Sequence, residues 1–274
     1  MFDARGKTVV ITGGSLGIGA AFARKFAAQG AARILLVARG KPKLEKLAAE
    51  IRAQHSGVEL VTHSEDLSAS GCGERVRAAT HALGWKTDVL INNAGFANFG
   101  AFEERPVSAL REEIDLNVRG LVEVSHAFVP ELLATRGALV HVASTAAFQP
   151  VPLMAVYAAS KAFVLSFSEA LWGEYKDRGL SVLALCPGAT DTPFFQRTGE
   201  AAALGAKATP DSVVDVALKA LGRNRSHVIA GLGNYWLAQS SRFVSRQMTA
   251  SISLSVMKKQ SAMSNTPQLT SGAK

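Results

Sequence analysis

The chain has 274 residues, of which 48% are hydrophobic and 19% charged, and its formal net charge is +8. This composition excludes a disordered, a collagen-like or a disulfide-rich protein, and the length allows a sizeable core. No acidic residue follows Asp215, so residues 1–215 hold all 22 acids and 22 of the 30 bases. This balance argues against a nucleic-acid-binding surface on the main body.

Short apolar runs alternate along the chain with stretches of helical periodicity. The runs are continuous rather than alternating, which is typical of parallel strands covered on both faces. They predict strands at Val9–Thr12, Ile34–Ala38, Val58–Thr62, Val89–Ile91, Ala138–Ala143, Val182–Cys186 and Val228–Ala230. Helices are predicted near residues 17–29, 42–54, 70–83, 107–133, 155–177 and 210–221.

The alternation of strand and helix implies right-handed crossovers between neighbouring strands. The predicted fold class is therefore α/β, with a doubly wound, parallel, seven-stranded sheet of the Rossmann type. At roughly 150 residues per domain, the length alone would allow about two domains. We favour one domain over residues 1–231 with a C-terminal extension over 232–274, because no linker or repeat occurs earlier.

The first predicted strand runs into a glycine-rich segment that a helix follows. Glycines let the backbone turn tightly and approach a pyrophosphate, and a helix N-terminus presents N–H groups to the anion. Such a cluster alone could be a simple turn, but the flanking strand and helix favour dinucleotide binding. The candidate cofactor residues are Thr12, Gly13, Ser15, Leu16, Gly17, Ile18 and Gly19.

The end of the second strand bears on the type of dinucleotide. An acidic residue there would bind the ribose hydroxyls of NAD, but this chain has Arg39. An arginine suits a 2′-phosphate, so the sequence favours NADP(H) over NAD(H), although Arg39 could also be a solvated charge. After the third strand, Asp66-Leu67 could contact the adenine, or Asp66 could cap the following helix.

Several polar residues are predicted to meet at the carboxyl edge of the sheet. Tyr157 and Lys161 are four residues apart in a predicted helix, so they share one face. A nearby ammonium would lower the pKa of a tyrosine toward neutrality, and Ser144, at the end of the fifth strand, could hydrogen-bond a substrate oxygen. Asn117 is unusual inside a helix and could open it locally to hold a water molecule.

Taken together, these motifs resemble those of the short-chain dehydrogenases/reductases of the Tyr-x-x-x-Lys type. The resemblance covers about residues 7–231. It rests on Thr12-Gly13-x-x-x-Gly17-Ile18-Gly19, Asp66, Asn92-Asn93-Ala94-Gly95, Asn117, Ser144, Tyr157-x-x-x-Lys161, Pro187-Gly188 and Thr192. The spacing Gly-x-x-x-Gly-x-Gly also distinguishes the glycine segment from the commoner Gly-x-Gly-x-x-Gly.

The resemblance implies a catalytic tetrad of Asn117, Ser144, Tyr157 and Lys161. In that family Tyr157 would be the acid/base, while Lys161 would lower its pKa and hold the nicotinamide ribose. Asn117 would support a proton-relay water. Further cofactor contacts are implied or expected at Asn93, Ala94, Gly95, Tyr157, Lys161, Pro187, Gly188, Thr190 and Thr192. The family also implies a homodimer or homotetramer.

The sequence thus predicts an NADPH-dependent carbonyl reductase that can also oxidise a secondary alcohol. An irregular segment at 189–209 is a candidate lid. Apolar residues in this segment and before Tyr157 favour a hydrophobic ketone or aldehyde as substrate, although they could simply pack the lid. They are Phe148, Val151, Leu153, Met154, Phe194 and Phe195. A 3-oxoacyl-type reductase of lipid metabolism is an alternative. A non-enzymatic, NADP-binding sensor or scaffold is another.

Other kinds of site are not indicated. The six histidines form no zinc-binding pattern, and no metal site is expected. There is no Gly-x-Ser-x-Gly motif, which removes the usual hydrolase signal. His141 and Cys186 lie inside apolar strands and are interpreted as core residues. Two cysteines, no signal-peptide pattern and no long apolar run lead us to expect a cytoplasmic protein.

The C-terminal extension carries much of the net charge. Residues 216–274 contain eight bases and no acid, together with apolar residues such as Tyr235, Trp236 and Phe243. A basic amphipathic helix could lie on an anionic membrane surface. We favour instead that it covers the substrate pocket or a subunit interface. The last stretch is rich in polar residues and is predicted to be disordered.

Overall fold

The structure, a computed structural model, describes residues 1–199, 202–203 and 205–264. Its sheet has seven parallel strands in the order β3-β2-β1-β4-β5-β6-β7, which confirms the predicted doubly wound fold. The strands are β1 (Thr8–Thr12), β2 (Arg33–Ala38), β3 (Glu59–Ser64), β4 (Val89–Asn92), β5 (Ala138–Val142), β6 (Ser181–Cys186) and β7 (His227–Ile229).

The helices flank the sheet on both faces. They are α1 (Gly17–Ala28), α2 (Lys41–Gln54), α3 (Cys72–Ala82), α4 (Val107–Ile114), α5 (Leu121–Ala134), α6 (Ala155–Tyr175), α7 (Phe194–Thr198), α8 (Pro210–Leu221), α9 (Leu232–Ser240) and α10 (Arg246–Ser264). Two large hydrophobic clusters lie on opposite faces of the sheet, one around Phe22 and Phe26 and the other around Phe128. This arrangement explains why the strand sequences are continuously apolar.

The predicted helix at 107–133 is divided in the structure. Its first part, α4, ends at Ile114, a π-helical turn spans Asp115–Gly120, and α5 begins at Leu121. Gly120 lies so close to the Leu67 carbonyl that an added Cβ would overlap with it. The wider turn therefore lets the chain pass close to the loop after β3, and it carries Asn117 toward the centre of the molecule.

His141 is a core residue, as its place in an apolar strand predicts. Its imidazole nitrogens lie 2.8 Å from the hydroxyls of Ser125 and Ser168. Burial lowers the pKa of His141 to about 3, so the ring is neutral at ordinary pH. Two neutral hydrogen-bonding partners satisfy it without a buried charge.

The C-terminal extension forms α9 and α10 in the described residues. Met257 of α10 is completely buried, and it packs against Val151, Met154 and Ala158. The predicted disordered end of the extension lies largely at 265–274, outside the described residues. None of the helices in the described part of the chain is both long and apolar enough to cross a membrane.

Candidate active site

A cleft of about 370 Å³ opens at the carboxyl ends of β1, β4, β5 and β6. The order of the strands reverses between β1 and β4, which is where open α/β sheets bind ligands. The predicted site residues that line this cleft are Gly13, Leu16, Gly17, Ile18, Asn93, Ala94, Gly95, Ser144, Tyr157, Lys161, Pro187, Gly188, Thr190 and Thr192.

The glycine segment between β1 and α1 forms a cradle without side chains. Gly13 and Gly17 have φ angles of +62° and +57°, which favour glycine. An added Cβ at Gly13 would lie 2.7 Å from the side-chain amide nitrogen of Asn93. An added Cβ at Gly19 would overlap with the Gly13 carbonyl. No side chain in the described residues caps α1, and its first turn holds no acid. These features fit a pyrophosphate at the helix N-terminus.

Thr12 supports the cradle from below. It is completely buried, and its hydroxyl accepts hydrogen bonds from the backbone N–H groups of Asn93 and Ala94, at 2.9 and 3.1 Å. The Asn93 side-chain amide donates to the carbonyls of Thr12 and Gly13. Thr12 therefore does not line the cleft, but it ties the end of β1 to the end of β4.

The adenosine end of the predicted site lies outside the cleft. Arg39 is exposed and pairs with Glu112 at 2.9 Å. Asp66 accepts hydrogen bonds from the N–H and hydroxyl of Ser68, and these bonds are the main reason why its pKa is lowered. Because α3 begins at Cys72, Asp66 does not cap that helix.

Two other predicted cofactor residues also lie away from the cleft lining. Ser15 is half-buried in the glycine loop beside it. Leu67 is 4% exposed and packs in the core with Val76 and Phe128. The structure therefore gives the Leu67 side chain a core position rather than a place at the cofactor surface.

Asn117 lies in the π-helical turn, a feature that often occurs at functional sites. Its side-chain amide donates to the Phe96 carbonyl at 2.8 Å and to the Ser160 hydroxyl at 3.1 Å, and its carbonyl accepts from the Phe96 N–H. An added Cβ on Gly95 would lie 3.0 Å from Asn117 Oδ1 and 3.3 Å from Lys161 Nζ. Gly95 thus leaves room for both side chains beside the cleft.

Tyr157, Lys161 and Ser144 meet at the bottom of the cleft. The Lys161 ammonium lies 5.8 Å from the centre of the Tyr157 ring and donates to the Val142 carbonyl at 2.7 Å. Ser144 accepts a hydrogen bond from the Ala146 N–H at 3.1 Å, and its hydroxyl also interacts with Tyr157. The structure therefore brings together three of the four predicted catalytic residues at the cleft surface, with Asn117 behind them.

The electrostatics of this group differ from the prediction. Burial raises the pKa of Tyr157 to about 12, and the hydrogen bond with Ser144 opposes this rise. Burial also lowers the pKa of Lys161 to about 8. Desolvation is thus the largest cause of the shift in the pKa of Tyr157, and the shift is opposite to the one expected from a nearby ammonium. At neutral pH Tyr157 is protonated and can act as a proton donor.

Glu113 is a buried acid that sequence analysis missed. It lies four residues before Asn117, at the end of α4, and accepts hydrogen bonds from the backbone and side chain of Asn98. Its charge raises the pKa values of both Tyr157 and Lys161. Its position four residues before Asn117 was the sequence signal that could have pointed to it. Acidic residues in helices are usually exposed, however, so the signal was weak.

Replacement of Glu113 with Gln is expected to shift the alkaline limb of ketone reduction to lower pH. Removal of the negative charge lowers the pKa values of Tyr157 and Lys161, so both lose their protons at lower pH. The pH profile of kcat/KM measures this shift. Glu112→Gln, at the half-buried neighbouring position, is the control, and a profile identical in the two variants would contradict the prediction.

Apolar side chains form the wall opposite the glycine cradle. Val151, Met154, Phe194 and Phe195 line the cleft as predicted, and the ring of Phe194 lies 5.7 Å from that of Tyr157. Phe148 and Leu153 pack behind this surface. Asn234, Leu237, Ala238 and Met257 of the C-terminal helices also line the cleft, although no motif in the sequence singled them out.

Comparison with known proteins identifies the family. The family model described as short chain dehydrogenase matches residues 7–203. The chain belongs to the short chain dehydrogenase family. It is accordingly an NAD(P)-dependent oxidoreductase, which favours an enzyme over the sensor or scaffold considered above.

Three relatives of this short chain dehydrogenase illustrate the similarity. An uncharacterized oxidoreductase of Staphylococcus saprophyticus is 31% identical over 234 residues, which cover 83% of this chain and 96% of the relative. A short-chain dehydrogenase from Sphingobium yanoikuyae, solved in complex with NADPH, is 32% identical with a TM-score of 0.77, covering 96% and 97% of the two chains. The bulky-bulky ketone specific alcohol dehydrogenase from Comamonas testosteroni is 28% identical with a TM-score of 0.72, covering 96% of each chain.

Proposed function

We propose that the enzyme is an NADPH-dependent reductase of hydrophobic ketones or aldehydes, which also catalyses the reverse oxidation of secondary alcohols. The observation that carries the proposal is the arrangement of Tyr157, Ser144 and Lys161 together in a cleft that has an apolar wall. In this proposal residues 1–231 form the catalytic domain and 232–274 form its extension.

Each residue of the tetrad has a separate role in the proposed reaction. A bound reduced nicotinamide would supply the hydride. Tyr157 donates its proton to the substrate oxygen as that oxygen gains negative charge, and Ser144 hydrogen-bonds the same oxygen and fixes its position. Lys161 contributes a positive charge close to Tyr157. Asn117 holds the Phe96 backbone and Ser160 in place behind them.

The cleft supports an uncharged, apolar substrate. Among the described residues that line it, Lys161 is the one ionised side chain at neutral pH, and it lies at the catalytic centre. A carboxylate or ammonium on the substrate would therefore lack an opposite charge at the apolar wall. The relative from Comamonas testosteroni is named for bulky ketones, which agrees with a wide apolar cleft.

The experiment that tests the proposal is NADPH oxidation in the presence of ketones and aldehydes of increasing apolar size, followed by absorbance. We expect turnover of uncharged apolar ketones, and little turnover of keto acids of similar size. A panel in which no carbonyl compound oxidises NADPH above the background would contradict the proposed reaction.

Preference for NADPH is expected to depend on Arg39. Replacement of Arg39 with Asp removes a guanidinium from the expected 2′-phosphate position, and a charge-assisted contact of this kind is worth about 1.5–3 kcal/mol. The ratio of kcat/KM for NADPH to that for NADH should therefore fall by about 10–100-fold. Unchanged selectivity would show that the phosphate site lies elsewhere.

Glu112→Gln is the matched variant for this experiment. It removes the carboxylate that pairs with Arg39 at 2.9 Å while leaving the arginine in place. An exposed pair of this kind is worth about 0.2–1 kcal/mol, so the affinity for NADPH should rise by at most about fivefold. The two variants should therefore move the coenzyme preference in opposite directions.

We further propose a homodimer or homotetramer in the cytoplasm. The exposed side of α6 supports self-association, since Phe163 is 40% exposed and stacks on Phe167 with ring centres 5.6 Å apart. Contact of the basic C-terminal extension with an anionic membrane surface stays the less favoured alternative.

A further inference from the structure

A second cavity lies beside the active-site cleft, between α8, α9 and α10. Its volume is about 910 Å³, and its lining is mainly apolar. Both this volume and that of the cleft are within the range of about 300–1,000 Å³ found for small-molecule sites. Val216 of α8, Leu237 of α9, and Ile252 and Val256 of α10 contribute to its walls.

The two cavities adjoin each other. Gln149, Asn234 and Leu237 line both of them. Asn234 also lies directly against Gly188, where an added Cβ would overlap with its side chain. The boundary between the two cavities therefore includes Asn234, beside a predicted cofactor contact at the active-site cleft.

One helix, α10, contributes to the linings of both cavities, with a different face toward each. Met257 is completely buried against Val151 and Met154 at the active-site cleft. Ile252 and Val256, which are four residues apart on one helix face, line the second cavity instead. The position of α10 thus determines the shape of the whole space.

Within the described part of the chain, several apolar side chains in the walls of the second cavity are left uncovered. Leu237, Ile252 and Val256 are 45%, 54% and 42% exposed, although they line a concave surface rather than a convex one. Of the described residues that line the cavity, only Lys207 is charged, and its ammonium lies 4.9 Å from the ring centre of Phe195. An uncharged, apolar ligand would cover these side chains and gain the free energy of their burial.

We propose that the second cavity binds the apolar tail of the substrate. The carbonyl group then lies at Tyr157, while an unbranched alkyl or acyl chain passes Leu237 and lies beneath α10. This inference rests on the proposed ketone reductase activity and specifies its substrate class as long-chain ketones. We assign the occupant to the substrate rather than to a second molecule, because the cavity adjoins the cleft along three shared residues and α10 lines both.

The test compares a series of methyl ketones, from methyl propyl ketone to methyl dodecyl ketone, with the full-length chain and NADPH. In the wild-type enzyme, kcat/KM should rise with chain length by up to about fourfold per methylene group until the chain extends beyond the cavity. Val256→Trp places an indole ring in the path proposed for the chain and should lower the ratio of long-chain to short-chain kcat/KM by at least about tenfold. Ile252→Phe changes a more exposed residue and should also lower the ratio of long-chain to short-chain kcat/KM. It replaces Val256→Trp in the test if the tryptophan variant does not fold.

Ser251→Trp is the matched control. Ser251 is exposed on α10 and does not line the cavity, so its replacement should preserve the wild-type chain-length ratio. A rate that does not rise with chain length in the wild type would overturn the second-cavity site while leaving the reductase activity intact. Equal ratios in the Val256 and Ser251 variants would also overturn it. Failure of every ketone in the series would instead count against the proposed function.

Discussion

Replacement of Tyr157 with Phe is expected to lower kcat/KM for ketone reduction by about 10²–10⁴-fold, the usual contribution of general acid catalysis. The phenyl ring retains the packing against Phe194, at a ring distance of 5.7 Å, but it has no proton to donate. The free energy of unfolding should therefore change little, and the loss should appear mainly in kcat. Steady-state kinetics with NADPH and an apolar ketone measure the effect.

Tyr175→Phe is the control for this substitution. Tyr175 lies at the end of the same helix, α6, and outside the cleft, so loss of its hydroxyl should leave ketone reduction unchanged. Titration of both variants with NADPH separates binding from chemistry. Equal activities of the two phenylalanine variants would remove Tyr157 from the reaction.

The direction of the reaction should affect its pH dependence. Reduction needs the protonated form of Tyr157, which has a pKa of about 12 in this structure, and the ammonium of Lys161, which has a pKa of about 8. The ammonium is present below its pKa and is lost as the pH rises through it. Reduction is therefore favoured at neutral or lower pH, whereas alcohol oxidation needs a deprotonated tyrosine and is favoured by alkaline conditions.

The fold could be predicted from the sequence because most of its strands are buried on both faces. A run such as Ile34–Ala38 has no polar side chain to mark a solvent face, and it lies between β3 and β1 in the observed sheet. The parallel arrangement then places the strand ends at one edge. This geometry explains why Gly13, Asn93 and Ser144, which are far apart in the sequence, lie around one cleft.

Other parts of the site depend on tertiary packing that no local pattern contains. Glu113 lies in a segment whose sequence is typical of an exposed helix, yet the loop after β4 buries it. The pKa of Tyr157 depends on desolvation more than on its distance from Lys161, and burial cannot be derived from a spacing of four residues. Met257 belongs to a helix with weak amphipathic character, so its insertion beside Val151 had no clear sequence signal.

Replacement of Gly19 with Ala is expected to weaken NADPH binding by about 10–100-fold, since the loss of one hydrogen bond to a charged phosphate costs about 1.5–3 kcal/mol. Its added methyl group would overlap with the Gly13 carbonyl and lie 2.7 Å from the Asn93 amide nitrogen. The glycine loop and the end of β4 would have to move apart, and these are the two sides of the cradle. Overpacking of this kind also costs about 1–3 kcal/mol of stability.

Gly173→Ala makes the same substitution in α6, where an added Cβ would have no atom of the described residues within 4 Å. It should leave NADPH binding unchanged and stabilise the fold by roughly 0.4–1 kcal/mol, because alanine restricts the unfolded chain more than glycine does. Fluorescence titration with NADPH gives the affinities, and thermal unfolding without coenzyme separates a displaced loop from an unfolded protein. A folded Gly19→Ala enzyme that binds NADPH as tightly as Gly173→Ala would show that the coenzyme phosphates do not lie in this cradle.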